Sequence, residues 1–69
     1  MPFLLWAVAR ERDGVREYYA GGPDIPRWVL EQGEAWGYEV QLWAEMVRRE
    51  LMVQGYGSDL FVTTIAVAF

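Results

Sequence analysis

The run from Tyr38 to Val53, YEVQLWAEMVRRELMV, constrains the fold more than any other stretch of the chain. Val40, Trp43, Val47 and Leu51 recur at spacings of three and four, which on a helix of about 3.6 residues per turn forms one apolar stripe. Leu42 and Met46 widen that stripe, and Ala44 is small enough to sit beside it. Glu39, Glu45, Arg48, Arg49 and Glu50 fall mostly elsewhere. Glu45 precedes Arg48 by three and Arg49 by four, a spacing that supports an isolated helix by about 0.2–0.5 kcal/mol. The remainder of the chain is expected to cover this helix.

Phe3 to Arg12 reads as a strand, with Phe3, Leu5, Ala7 and Ala9 on one face and Leu4, Trp6 and Val8 on the other. Asp13-Gly14 follows, a dipeptide favoured in type I′ turns. Val15 to Ala20 returns as a second strand. A two-residue turn sets Arg12 opposite Val15, Glu11 opposite Arg16 and Arg10 opposite Glu17, and the last two pairs carry opposite charges. At the other end, Leu60 to Phe69, LFVTTIAVAF, is a strand by composition and apolar on both faces except for Thr63 and Thr64. It has no charge after Asp59. Such a strand belongs in the middle of a sheet or under cover on both sides, because left open it is a template for pairing.

Between these lies an ambiguous segment. Gly21-Gly22-Pro23 ends the second strand, Asp24 suits a helix N-cap, and Pro26 suits a first turn. Arg27 to Gln32 then reads as a first helical stretch carrying Trp28 and Val29 inward. Gly33 and Gly37 favour a break over one continuous helix from Pro26 to Gln54, since each costs about 1 kcal/mol inside a helix. Gly55 suits the left-handed position after the helix. The expectation is one α+β domain over residues 1–69. It has a three-stranded sheet, made of the N-terminal hairpin and the C-terminal strand, packed against one or two helices in the order β-β-α(-α)-β. The sheet order is 2-1-3, with the direction of the last strand open.

Composition narrows the chemistry. The 69 residues are 54% apolar and include four Trp and four Tyr, more than one helix and a few strands easily hide. That predicts self-association or an apolar patch kept for a partner. The net charge is −4 and Lys is absent, which disfavours nucleic-acid binding and fits a basic protein partner better. Without Cys or His there is no disulfide framework and no Ser-His-acid triad, and a zinc, copper or haem site is disfavoured. Glu31 with Glu34, and Glu45 with Glu50, read as solvated helix charges rather than an acid/base pair. Gly21-Gly22 and Gly55-x-Gly57 lack the Lys-Ser/Thr of a phosphate loop. The N-terminus has no basic signal-peptide region, and no apolar run approaches the ~20 residues of a membrane span, so no membrane association and a cytoplasmic location are expected.

By elimination the chain reads as a non-catalytic module without a cofactor. It is expected to act on a larger protein target as an inhibitor or adaptor, and to form a homodimer. Inhibitors made by phages and mobile elements against host machinery, including anti-CRISPR proteins, share its size and acidity, an analogy of those two properties alone. The aromatic and Arg side chains expected at a partner surface are Trp6, Arg16, Tyr18, Tyr19 and Trp28. Glu11, Asp13 and Glu17 would add electrostatic steering. Two other readings compete. One is a small-molecule binder with Trp28, Trp36 and Trp43 lining a pocket between helix and sheet. The other is a structural subunit whose Leu60–Phe69 strand adds to a neighbour's sheet.

Overall fold

Asp13 and Gly14 adopt φ of 53° and 78°, the paired positive angles of a type I′ turn. The chain therefore folds straight back, and β1 (Pro2–Arg12) pairs antiparallel with β2 (Val15–Tyr19) in the expected register: Arg12 opposite Val15, Glu11 opposite Arg16, Arg10 opposite Glu17. The computed structural model of the chain describes residues 2–21 and 27–68. It is an α+β fold with one antiparallel four-stranded sheet and one α-helix. The expected N-cap at Asp24, the first-turn Pro26, most of the Gly21-Gly22-Pro23 turn and the last strand residue, Phe69, lie outside the described residues.

The fourth strand corrects the sequence reading. Trp28 and Val29 do not begin a helix. They form a short strand, β3 (Trp28–Val29), antiparallel to β2, with Tyr18 opposite Val29 and Tyr19 opposite Trp28. The Ala20 N–H also donates to the Arg27 carbonyl at 2.8 Å. The open edge of β2 offers unpaired backbone groups, and bulky Trp and Val satisfy them as well in a strand as in a helix. The chain does break at the glycines. Gln32–Glu34 is a single 3₁₀ turn, and the backbone then runs extended until Tyr38, which forms an antiparallel bridge with Trp6. The helix, α1 (Gln41–Val53), accordingly starts later than Tyr38.

The end of α1 follows the expected pattern. Gly55 has a φ of 92°, the Tyr56 N–H donates to the Leu51 carbonyl, and the Gly55 N–H donates to the Met52 carbonyl, both at 3.1 Å. That double bond pattern is a Schellman cap, and it turns the chain sharply into β4 (Phe61–Ala68). β4 pairs antiparallel with β1, from Ala9 opposite Phe61 to Pro2 opposite Ala68. The sheet order is β3-β2-β1-β4, so β4 is an edge strand rather than a central one, with α1 and the Gln32–Glu34 turn packed against it. β1 has β2 and Tyr38 along its other side, so β4 takes the side that is left.

Each sheet face has its own cover. One face carries Ala7, Ala9, Tyr18, Val29 and Ile65, all buried, and the 31–37 segment packs on it through Ala35. The other carries Val8, with Leu51 and Leu60 buried against it and Tyr19, Trp28, Val47, Met52 and Tyr56 at the margin. That second face lies under α1.

Candidate functional site

The phase of α1 differs from the sequence reading, and the difference creates the site. Ala44 and Leu51 are the buried residues of the helix, with Val47, Arg48 and Met52 half-buried beside them. The expected core residues Val40 and Trp43 are instead 42% and 53% exposed. Tyr19 and Trp28 already pack at the margin of the core beneath the helix. The helix approaches through its smallest side chain, Ala44, which is fully buried.

Rotating the helix in this way turns Leu42, Met46 and Val53 outward. Their spacing of four and seven puts them on one line, opposite Ala44 and Leu51. They are 63%, 58% and 79% exposed. Trp43 flanks Met46 one turn away, and Arg49 and Glu50 stand exposed between Met46 and Val53. On the opposite flank the Arg48 Nε donates to a Glu45 carboxylate oxygen at 3.0 Å, so one of the two adjacent Arg side chains is held in an intrahelical pair. The outer face of α1 is thus a second apolar stripe with one cation and one anion among its rim.

The residues expected to contact a partner lie at the other end of the sheet and are largely engaged within the chain. Tyr18 is buried in the core, which corrects its reading as a surface contact. Trp28 is half-buried. Its ring meets Tyr19 edge-on at 5.7 Å, and the Arg10 guanidinium lies 4.0 Å from its centroid. Arg10 also donates to Glu17 at 2.9 Å, so cation, acid and indole form one stack. Arg16 donates to Glu11 through Nη2 at 2.9 Å and lies 5.1 Å from the Phe61 ring centroid. The Glu11 hydrogen bond raises the Arg16 pKa above its ordinary value. Asp13 is exposed in the turn, and Trp6 is half-buried with its backbone bonded to Tyr38. Glu11, Asp13, Arg16 and Glu17 cluster at the hairpin; Trp6 does not join them.

The three Trp residues proposed as a pocket do not converge either. Trp28 belongs to the layer between sheet and helix, whereas Trp36 and Trp43 are 52% and 53% exposed. Among the described residues no buried side-chain nitrogen or oxygen lacks a partner, and no three acidic side chains converge as a metal would need. What the surface offers is apolar area and exposed ion pairs. No helix among the described residues is long and apolar enough to cross a membrane.

Sequence reasoning missed the outer face of α1 although the signal was present. Leu42, Met46 and Val53 have a helical spacing of their own, but the aromatic ring of Trp43 drew the core assignment to the other stripe. No protein-family model, curated protein or solved structure matches the chain.

Proposed function

We propose that this chain is a non-catalytic protein-binding module, an inhibitor or adaptor, that docks a larger protein through the outer face of α1. The observation that carries the reading is the line of Leu42, Met46 and Val53, each more than half exposed on a helix whose opposite side buries Ala44 and Leu51. Fully burying such a side chain is worth about 1.5–3 kcal/mol, so the exposed fractions of the three together offer roughly 3–6 kcal/mol toward docking. An apolar line on a helix fits a hydrophobic groove in its target, with its apolar positions acting as anchors. Arg49 and Glu50, which interrupt the line between Met46 and Val53, would set orientation. The setting is the cytoplasm, in keeping with a chain that has no Cys.

The test uses the full chain as bait in its native host, followed by binding measurements on the purified captured protein. Leu42→Glu/Met46→Glu should weaken binding at least tenfold, while the hairpin substitution Arg16→Ala should leave it within about twofold. Equal binding by the helix variant and the unmodified chain would refute the proposed surface.

A further inference from the structure

We propose that two copies of this chain join through β4, antiparallel about a two-fold axis near Thr64, to make one continuous sheet. This stands apart from the target-docking face on α1. β4 ends the sheet, and its eight residues have a strand partner, β1, on one side only. Which backbone groups are left over can be worked out from the ladder. The Trp6 N–H and C=O both bond to Tyr38, each at 2.7 Å, on the side of β1 away from β4. Trp6 lies opposite Thr64, so this is the pair without mutual hydrogen bonds. The Thr64 N–H and C=O must therefore point to the free edge, and by the period of two so must those of Val62 and Ala66. The Ala66 N–H confirms the phase, because it donates outward to the Gln32 Oε1 at 3.1 Å.

Among the described residues that side-chain bond is the one hydrogen bond on the outer ladder, and the Gln32–Glu34 turn that supplies it packs beside β4. The usual protections of an edge strand are charged side chains, Pro and bulges. From Phe61 to Ala68 there is no charged residue and no Pro, and the pairing with β1 runs in unbroken register. The absence of charge also points to the occupant. The strand itself has no acid to attract a basic segment, and a second copy meets it with no like charge on either β4. The acids Glu11, Asp13 and Glu17 sit on the hairpin, and an antiparallel two-fold carries the two hairpins to opposite ends of the seam.

The register about Thr64 is self-complementary. It places Val62 against Ala66 of the second copy, Thr63 against Ile65, and Phe61 against Val67, and the last two pairs join β-branched and aromatic residues that favour strand contact. The exposed Thr64 side chain then meets its own counterpart across the seam, and the exposed Ala66 meets Val62. The Gln32–Glu34 turn acts as a gate, because it packs beside β4 and the Gln32 amide must release the Ala66 N–H before the Val62 carbonyl of the second copy can take it.

Sizing chromatography with light scattering, from micromolar to millimolar chain, decides the matter. The unmodified chain should rise with concentration toward twice 8.0 kDa. Thr64→Pro removes an outward N–H that β1 does not use, and Thr64→Lys sets two cations at the axis. Both should stay monomeric where the unmodified chain is dimeric, with unchanged far-ultraviolet circular dichroism; if the Pro variant unfolds, the Lys variant decides alone. Gln32→Ala should dimerise at several-fold lower concentration. A monomer throughout overturns the proposal. So does a dimer that survives Thr64→Lys, and if Leu42→Glu/Met46→Glu then abolishes it, the seam lies on α1. Loss of the dimer leaves the target-docking test on α1 unaffected, so the two proposals fail separately.

Discussion

Gly37 leaves no space for a methyl group. A Cβ there would stand 2.5 Å from the Leu5 Cδ1 and 2.9 Å from the Leu5 Cβ. Gly37→Ala is therefore expected to cost about 1–3 kcal/mol, as overpacking generally does. Gly33 has open space where its Cβ would be, and its Ala variant should be neutral or more stable by about 0.4–1 kcal/mol. Urea unfolding of the two variants checks the contrast. The sequence marks both glycines as helix interrupters. It cannot rank them, because the rank depends on Leu5, a neighbour brought close only by the fold. Tyr38, the next residue, adds a pH dependence. Burial, reinforced by the nearby Tyr19, raises its pKa above 10.0. The folded state thus holds the phenolic proton more tightly than the unfolded chain does. The stability this contributes is complete below pH 10.0 and is lost as pH rises through the folded pKa. Tyr38→Phe should flatten that part of the stability profile, measured by unfolding between about pH 8 and 11.

At the scale of elements, legibility tracks how local the determining contacts are. The β1–β2 hairpin could be read in full, down to the Arg10–Glu17 and Glu11–Arg16 pairs, because a two-residue turn dictates register by itself. The end of α1 was equally legible from Gly55. The phase of α1 was legible in part: Ala44, Val47 and Leu51 pack inward as expected, but Val40 and Trp43 stand exposed. The shift depends on what the sheet presents below, where Tyr19 and Trp28 already line the core margin. β3 was missed for a related reason. Trp28 and Val29 fit either a strand or a helix, and the deciding factor was the unpaired edge of β2, which no local pattern records. The place of β4 beside β1 at the end of the sheet is the one the order 2-1-3 gives, although an apolar decapeptide by itself reads as buried whether its own chain or another one covers it.

For the molecule as a whole, the surface is ordinary in extent and unusual in content. The accessible area of 4810 Å² is close to the roughly 4,500 Å² expected for a folded chain of this mass. The 54% apolar composition therefore shows itself in what the surface is made of. Five of the nine large apolar side chains that stand exposed among the described residues belong to α1 or its N-cap, and the proposed docking face rests on that concentration. The apolar excess was legible in the sequence, and where it reaches the surface was not. The central claim is that α1 packs by Ala44 and Leu51 and leaves Leu42 and Met46 for another protein. Its most direct test is chemical unfolding of Leu42→Glu/Met46→Glu beside Leu51→Ala, in dilute monomeric chain. The double variant should stay within about 0.5 kcal/mol of the unmodified chain, and Leu51→Ala should lose about 2–5 kcal/mol. A loss of several kcal/mol in the double variant, with Leu51→Ala nearly neutral, would place the core on the opposite side of the helix and contradict the account.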